Sequence, residues 1–580
     1  MGTVYKKIII RRYRKWLRGW RREIEHGYPL NIALLAILEK NQKNIASVRW
    51  SGILPKGVTE MAAEACLRQV IFNYVRLSPE MSRSIVGYQT GCDQRLALSL
   101  PKSWLKVLEG EGCRISWFQC RWLFFRWVVT RYLQGGRSVF HTLKMLLLSQ
   151  ATSASRPYGV LVHMGQVHWP QRNDAVSPRD AVSWYKGWKG RDPQIEEIWV
   201  HVTRSTGECH HKNVTLVTHE LPLPQLSSRF HGLQVATELL WLTATSGLAM
   251  FAGRWHGAVM LRELAHAVYG SHLPDRSWGR EYLFNNSMPF FRPLWTYLAE
   301  NAGARVSLFH YSANSLAIFP DRPPEALPGN GEGIANWSHY ITMSEHHKQE
   351  LIKARSTQVP VDIDPFISIS DNGQSLGSKD LSHAVALFDI SGWRPLFLAR
   401  LGSSGLYYRP STINGFLQTS IQLLSERGLT AAYKSKRKIL TTRWELSKSY
   451  INLKKSFENN PDVIIIDPGI TALRVIECCC AVISVPFTST AIIGKVLGKP
   501  SVYFDPIGTI SSSTPLVHGV PVVSGEKELA QWLDREVLPH LATSNAPRPN
   551  QSPDLTHVEP SREDKIMSVL SANNSASAWE

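Results

Sequence analysis

The strongest constraint on the fold of this chain is the pattern between Asp462 and Pro506. Three short apolar runs, at residues 463–466, 481–485 and 501–504, are separated by segments of helical length. Such an alternation of β-rich runs with helices is typical of a parallel sheet covered by helices. The sequence therefore predicts an α/β fold in this part of the chain.

Hydroxyl residues stand at one junction between a predicted strand and a predicted helix. Pro486, Phe487, Thr488, Ser489 and Thr490 lie where the second apolar run ends and the next helical segment begins. Hydroxyl side chains cap helices at that position, and the free backbone N–H groups of a helix start attract anions. Because ligands of open α/β sheets bind at the carboxyl edge, we expect a phosphorylated ligand there.

A further α/β unit is predicted earlier in the chain, and 580 residues are enough for two large domains. Its strands fall at 158–162, 197–203, 281–285, 305–311 and 339–343, with helices at 239–268, 293–302 and 344–354. The polar segment from Ser356 to Leu381 is predicted to be a linker. We therefore divide the chain into a basic, mainly helical region at 1–150, α/β domains at 151–380 and 381–545, and a disordered tail at 546–580.

The charge of the chain predicts anionic partners. Lys and Arg number 65 against 47 Asp and Glu, which gives a formal net charge of +18 at pH 7. The segment from Lys6 to Arg22 is dense in cations, with aromatic and aliphatic residues 13, 16, 17 and 20 on one helix face. This pattern suits an anionic membrane surface, and equally a solvated basic helix packed on its own protein. No nucleic-acid module accompanies it, so nucleic acid is not an expected partner.

Cysteine and hydropathy patterns favour a cytoplasmic protein. The eight cysteines show neither zinc-ligand spacing nor a disulfide framework. No apolar run reaches the length of a spanning helix, and the N-terminus lacks the apolar core of a secretory signal. The aromatic segment at 116–133 is predicted to be a half-buried helix whose arginines extend toward solvent. If the basic N-terminal helix binds lipid, the protein is peripheral at the inner face of the cytoplasmic membrane.

An ordered series of segments carries a family resemblance. The run at 483–506 reads ISVPFTSTAIIGKVLGKPSVYFDP, and it is accompanied by YLFNNS at 282–287, RPLW at 292–295, FHYSAN at 309–314 and KSKR at 434–437. The series resembles the bacterial polysaccharide-biosynthesis proteins named for their PFTS motif, which look like GT-B glycosyltransferases. The resemblance spans roughly residues 280–510.

The resemblance implies a GT-B-like α/β fold in which two Rossmann-like domains face a cleft. In that architecture the C-terminal domain holds a nucleotide-sugar donor and the N-terminal domain holds the acceptor. The implied activity is metal-independent transfer of a sugar to a glycan or lipid-linked acceptor in surface polysaccharide biosynthesis, with no cofactor. A sugar-nucleotide epimerase or hydrolase on the same fold, and a non-catalytic anion- or lipid-binding protein, remain as alternatives.

Several residues are candidates for binding the donor. The phosphate candidates are the PFTS residues Pro486, Phe487, Thr488, Ser489 and Thr490, together with the cations Lys434, Lys436 and Arg437 just past the strand residues 430–432. Candidates for contacts with a ribose or sugar are Asp467, Glu477 and, in the YLFNNS segment, Asn285. Helix capping and surface solvation explain the same residues without a ligand.

An inverting transfer also needs a general base for the acceptor hydroxyl. Asp389 is the first candidate because it ends the first strand of the second domain, and Glu281 and His310 are the others. The DxD-like triplet Asp362-Ile363-Asp364 lies in the predicted linker, so no metal site is predicted.

Overall fold

The computed structural model describes only part of the chain. The described residues are 37–38, 41, 48–50, 52–78, 80–81, 84–85, 88, 93–148, 157–164, 181–202, 213–217, 221–224, 226, 229–285, 291–310, 334–354, 358–364, 376, 380–393, 409–436, 446–508, 510 and 517–544. The predicted basic helix at 6–22, Arg437 and the predicted tail lie outside these residues.

The first α/β unit contains a seven-stranded parallel sheet with the order β3-β2-β1-β4-β5-β6-β7. Its strands are β1 (Tyr158–Val162), β2 (Glu197–His201), β3 (Val214–Val217), β4 (Glu281–Asn285), β5 (Arg305–Phe309), β6 (His339–Thr342) and β7 (Val361–Ile363). The chain builds outward from β1 to β3 and then returns to add β4 on the other side of β1. This reversal is the doubly wound order of Rossmann-like domains.

This sheet is covered on both faces, and alternate residues of its central strands enter two different apolar cores. Val160 and Tyr282 pack in one apolar cluster, whereas Leu161 and Leu283 pack in another. The helices of this part of the chain are α4 (Ala181–Gly187), α5 (Arg229–Phe251), α6 (His256–Ser271), α7 (Trp295–Asn301) and α8 (Glu345–Ala354). Such two-sided burial explains why the central strands are continuous apolar runs.

The second α/β unit contains a six-stranded parallel sheet with the order β10-β9-β8-β11-β12-β13. Its strands are β8 (Ala384–Phe388), β9 (Thr430–Lys434), β10 (Val463–Ile466), β11 (Ala481–Ser484), β12 (Ser501–Asp505) and β13 (Val522–Ser524). The order again reverses, here between β8 and β11. The prediction of two Rossmann-like α/β units is therefore confirmed.

The helices of the second unit connect its strands and continue beyond the last of them. They are α9 (Pro410–Ser425), α10 (Lys448–Ser456), α11 (Ala472–Cys478), α12 (Ser489–Val496), α13 (Gly525–Trp532) and α14 (Leu538–Ser544), with a π-helical turn at Leu533–Val537. Here too the central strand is covered on both faces. Leu387 packs in the cluster that contains Phe416 of α9, and Phe388 packs in the cluster that contains Ile492 of α12.

The described part of the N-terminal region is helical, as predicted. It contains α1 (Glu60–Leu77), α2 (Lys102–Gly110) and the 32-residue helix α3 (Trp117–Leu148). α3 and α5 both pack on the buried helix α6, and the Tyr132 hydroxyl of α3 donates a hydrogen bond to the Thr243 carbonyl of α5. None of the described helices combines the length and the apolar character needed to cross a bilayer.

Three features of this architecture differ from the sequence-based prediction. β7 lies inside the segment predicted to be a linker, because Val361 and Ile363 pair with Tyr340 and Thr342 of β6. α4 and β3 were not predicted, since each is only a few residues long. The single helical block predicted at 239–268 is two helices, separated at Gly253, whose φ is +80°.

Close helix–sheet packing in the second unit generates a stability prediction. A Cβ atom added to Gly494 of α12 would lie 2.6 Å from Cγ2 of Val482 on β11, a distance that the packing cannot accept without movement. We expect Gly494→Ala to destabilise the protein by about 1–3 kcal/mol through overpacking. The free energy of unfolding, measured by denaturant titration, tests this.

Gly415 of α9 is the matched control, because a Cβ atom there meets nothing within 4 Å. Gly415→Ala should stabilise the protein by about 0.5–1 kcal/mol through the ordinary helix preference for alanine. Equal effects of the two substitutions would contradict the close approach at Gly494.

Candidate functional site

Each sheet has one point at which its strand order reverses, and polar residues are concentrated there. In the second sheet this point lies between the carboxyl ends of β8 and β11. Asp389 follows β8 in the sequence, and the PFTS residues follow β11. In the first sheet it lies between β1 and β4, beside His163 and Asn285. The crevice at such a point is where open α/β sheets bind ligands.

The PFTS residues form a tight connection from β11 to α12. Phe487 is buried and has a φ of +63°, a left-handed conformation that is rare for a bulky side chain. The chain thereby reverses direction within a few residues, and Thr488 then occupies the N-cap position of α12. Such strained residues persist where the surrounding structure holds them, and they concentrate at ligand sites.

The threonine hydroxyls of the motif are used inside the loop. Thr488 donates to the carbonyl of Val485 at 2.8 Å, and the Thr490 hydroxyl lies 2.7 Å from that of Ser484. The Tyr503 hydroxyl of β12 also donates to the carbonyl of Thr488. These bonds fix the loop, so the predicted role of both threonine hydroxyls as direct phosphate ligands is not favoured by the geometry.

The start of α12 is left without a cap. Within the described residues no side chain accepts a hydrogen bond from its first turn, because the hydroxyl of Thr488 is turned back to Val485. By contrast, Thr471 caps α11 and Ser447 caps α10. The backbone N–H groups of the first turn of α12 are therefore available to an anion at the carboxyl edge of the sheet.

The predicted cations lie at the end of β9 and just after it, on the other side of β8 from the PFTS loop. Lys434 is largely buried, and its ammonium donates to the carbonyl of Pro468 at 3.3 Å. Burial lowers the pKa of Lys434, and the charges of Asp389 and Asp467 oppose that effect. Lys436 is exposed beyond the end of β9. Two inter-strand spacings, about 10 Å, separate β9 from β11.

The two predicted ribose contacts are both exposed, but they differ in position. Asp467 follows β10 at the carboxyl edge, where its carboxylate accepts a hydrogen bond from the N–H of Gly469. Glu477 is in the last turn of α11, a helix that starts near the carboxyl edge and runs back toward the amino edge. Asp467 therefore lies on the ligand-binding edge and Glu477 does not.

Asp389 is held inside a cluster of tyrosines. Its Oδ2 accepts hydrogen bonds from Tyr433 at 2.7 Å and Tyr450 at 2.5 Å. Burial raises its pKa, and the tyrosine hydroxyls, the Lys454 charge and the Lys436 backbone N–H oppose the rise. Because the carboxylate is fully enclosed, it does not meet an acceptor hydroxyl in this arrangement. The geometry favours a structural role over that of a base.

Glu281 lies at the opposite edge of its sheet from the other candidates. It is the first residue of β4, and its carboxylate accepts hydrogen bonds from the Tyr185 hydroxyl at 2.7 Å and the Asp192 N–H at 2.8 Å. Arg305 completes the set through an ion pair. This buried carboxylate joins four segments of the first unit at its amino edge, so a catalytic role is not favoured.

Histidines that sequence reasoning missed line the carboxyl edge of the first sheet. His163 follows β1 with a φ of +55°, and its backbone N–H donates a hydrogen bond to Nδ1 of His201 at the end of β2. Asn285, the last residue of β4, donates through Nδ2 to the carbonyl of His163 at 3.1 Å. The predicted residue Asn285 therefore positions His163. A left-handed residue directly after a strand gives no signal in a single sequence.

His163 has the properties of a proton acceptor. Its ring is open to solvent on one side, and it is surrounded by protein elsewhere. This partial desolvation lowers the pKa of His163 below its usual value, and the charge of Arg262 lowers it further. The imidazole is therefore neutral at pH 7, the state that a general base requires.

His310 follows β5 at the same edge, but it is buried. Neither ring nitrogen has a hydrogen-bonding partner among the described residues, and the ring packs edge-on against His347 at 4.2 Å. Burial moves the pKa of His310 well below its usual value, and His347 adds to the shift. His310 therefore lies on the expected edge but has no open path to a substrate in this structure.

No group of three or more candidate ligand side chains that would hold a metal ion occurs in the described part of the chain. Asp362 contacts Nε2 of His339 at 3.2 Å, and Asp364 accepts a hydrogen bond from Trp184. Asp362 and Ile363 thus belong to the edge strand β7, and Asp364 directly follows it, so the triplet is not part of a linker.

The neutral state of His310 predicts how stability depends on pH. The unfolded chain takes up a proton on this histidine below about pH 6.5, whereas the folded protein cannot until its lower pKa is reached. Stability should therefore fall as the pH falls, by up to about 1.4 kcal/mol per pH unit from this group. His310→Phe should flatten the dependence of the melting temperature on pH between 7 and 5, the interval that brackets that value.

His383, which is exposed before β8, is the matched control. His383→Phe should leave the dependence on pH as it is in the unmodified protein. An unchanged slope in His310→Phe would contradict the buried neutral state.

Comparisons with known proteins agree with the sequence motifs. The model of the family described as "Polysaccharide biosynthesis PFTS motif protein" matches residues 245–533. Among curated proteins, none matches this chain. The family resemblance drawn from the ordered segments is confirmed by the first of these findings.

Solved structures similar to this chain include three proteins of low identity. HepE of Anabaena, in complex with UDP and glucose, has 12% identity and a TM-score of 0.33 and covers 73% of this chain and 95% of its own. The wall teichoic acid polymerase TagF has 10% identity and a TM-score of 0.33, with coverages of 76% and 93%. A glycosyltransferase from Rickettsia africae has 9% identity and a TM-score of 0.34, with coverages of 73% and 93%.

We draw no argument about the reaction from structures with such TM-scores. The family match, by contrast, extends over every strand from β4 to β13. Residues 245–533 of this chain therefore match the polysaccharide biosynthesis PFTS motif family.

Proposed function

We propose that this protein is a glycosyltransferase of the GT-B type, which moves a sugar from a nucleotide-sugar donor to a glycan or lipid-linked acceptor in surface polysaccharide biosynthesis. The observation that carries the proposal is the uncapped start of α12 at the strand-order reversal of the second sheet. It stands within the sequence motif for which a polysaccharide-biosynthesis family is named.

The donor's diphosphate is assigned to the first turn of α12. The free N–H groups of residues 489–491 and the partial positive charge of the helix start attract phosphate oxygens. The Ser489 hydroxyl, which is partly exposed, adds a further donor. Lys436 is an exposed cation at this edge, and Asp467 at the same edge is suited to a ribose or sugar hydroxyl. No cofactor or metal ion is required in this arrangement.

The acceptor is assigned to the first unit, with His163 as its general base. The imidazole is neutral at pH 7, partly open to solvent and fixed by the bond from Asn285 to its carbonyl. In an inverting transfer it would take the proton of the acceptor hydroxyl while the donor phosphate leaves. This assignment replaces Asp389, whose carboxylate is enclosed by tyrosines.

Binding of the donor can be tested with a panel of nucleoside diphosphates and nucleotide sugars, including UDP and UDP-glucose, by thermal shift and calorimetry. Ser489→Pro removes the N–H and the hydroxyl at the first helical position, where proline fits the backbone. We expect a Kd that is about 10- to 100-fold weaker, the usual effect of losing a hydrogen bond to a charged group. Ser489→Ala, which removes only the hydroxyl, should have a smaller effect.

Glu60→Pro is the matched control, because it changes the first position of α1 in the N-terminal region. It should leave the Kd of every ligand unchanged. Equal affinity in Ser489→Pro and the unmodified protein would remove the start of α12 from the site. Absence of binding by the whole panel would favour the non-catalytic alternative.

The role of His163 is tested by the rate of release of nucleoside diphosphate in the presence of a membrane lipid extract as the acceptor source. We expect His163→Ala to lower kcat about 10²- to 10⁴-fold with little change in donor affinity. The rate of the unmodified protein should fall as the pH falls through the lowered pKa of His163, because the protonated ring accepts no proton.

His383→Ala, a change at an exposed histidine of the second unit, should keep the full rate. Unaltered kcat in His163→Ala would show that another group is the base. Release of nucleotide at the same rate without the extract would favour a hydrolase over a transferase.

A further inference from the structure

Large apolar side chains are exposed on two neighbouring helices of this protein. Of the fourteen exposed large apolar residues in the described part of the chain, ten are on α3 and α5. We call them the α3–α5 apolar face: Phe118, Trp122, Phe125, Leu133 and Phe140 of α3, with Leu233, Leu240, Trp241, Leu248 and Phe251 of α5. A concentration of this kind marks a surface that contacts a partner.

The residues of each helix lie in one stripe. On α5, positions 233, 240, 241, 248 and 251 fall within about 100° of the helix circumference, and those of α3 are similarly confined. The opposite side of each helix is buried, and both helices pack on α6. Val235 of α5 and Trp127 of α3 lie in the same apolar cluster as α6, and Trp127 stacks on Tyr74 of α1. Because the two helices also touch each other between Tyr132 and Thr243, both stripes face away from α6. They form one continuous outer surface.

Cations border this surface. α3 contains five Arg and Lys residues and no Asp or Glu over its 32 residues. Arg137 and Lys144 are exposed along one border of the α3 stripe, together with Arg126, which pairs with Glu80, and Arg121 is exposed along the other border. Arg131 is the exception, since it is largely buried and its pKa is lowered by burial. The sequence-based prediction described a half-buried helix and did not identify the exposed apolar stripe. It considered whether the arginines share one helix face, and not whether the large apolar residues do.

We propose that the α3–α5 apolar face lies in the interfacial region of a bilayer that contains anionic lipids. The exposed tryptophans, phenylalanines and leucines would enter the boundary between headgroups and acyl chains, and the bordering cations would meet lipid phosphates. The helices lie along the surface because their other sides are packed on α6.

Charge complementarity favours lipid over a second copy of this chain. Pairing of two such faces would bring two copies of α3 together, each with five cations and no acid. Anionic phosphates neutralise those cations, whereas a second copy of α3 would repel them. The inference does not rest on the proposed function, because lipid binding is measured without donor or acceptor.

The full chain should bind vesicles of phosphatidylcholine mixed with phosphatidylglycerol, in a flotation assay at several salt concentrations. Trp122 is 61% exposed and Trp241 is 67% exposed, so Trp122→Ser combined with Trp241→Ser should leave the fold intact. We expect this double variant to bind at least about tenfold more weakly, because two large aromatic surfaces no longer enter the interface. Arg137→Gln and Lys144→Gln should each weaken binding about fivefold at low salt.

Met61→Ser is the matched control, because Met61 is 80% exposed on α1 and lies outside the face. It should bind vesicles as the unmodified protein does, and melting curves verify that all variants are folded. Binding that survives the double tryptophan change and is lost in Trp16→Ser combined with Trp20→Ser would assign the membrane contact to the N-terminal segment and overturn the proposal. So would the absence of vesicle binding by the unmodified protein, or a result in which size-exclusion chromatography shows a dimer that the double tryptophan variant no longer forms while its lipid binding is unchanged.

Discussion

In each sheet, parallel hydrogen bonding aligns the carboxyl ends of the strands, and one reversal of strand order separates neighbouring loops at that edge. The reversals between β1 and β4 and between β8 and β11 determine which polar residues meet. A residue in the left-handed conformation lies after one strand of each pair: His163 after β1 and Phe487 after β11. In each case the chain turns sharply at the crevice, and backbone strain is retained where a ligand would be held.

The candidate carboxylates differ from the other polar groups in that hydrogen bonds within the protein hold them. Glu281, at the amino edge, satisfies its carboxylate with Tyr185, the Asp192 N–H and Arg305, and it thereby holds segments of the first unit together. Asp389, at the carboxyl edge, is enclosed by Tyr433 and Tyr450. Buried carboxylates that accept such hydrogen bonds stabilise the fold. The groups to which the proposal assigns chemistry are the backbone N–H groups at the start of α12, the exposed Lys436 and the neutral ring of His163.

Much of the fold could be predicted from the sequence, because strands buried on both faces are continuous apolar runs. The strands at 158–162, 281–285, 430–434 and 463–466 have the predicted bounds. β7 escaped prediction because an edge strand of three residues, partly exposed, has no such run. The PFTS loop was found through its hydroxyl residues, although the structure uses the two threonine hydroxyls to fix the loop and leaves the start of α12 without a side-chain cap. His163 was missed because its value depends on a left-handed turn and on Asn285, more than 120 residues away.

The central claim is that a nucleoside diphosphate binds at the first turn of α12, in the crevice between β8 and β11. A crystal structure of the protein soaked with UDP or a UDP-sugar tests it most directly. The account predicts diphosphate density within hydrogen-bonding distance of the backbone N–H groups of residues 489–491. Nucleotide density at another place, with this helix start empty or covered by side chains, would contradict it.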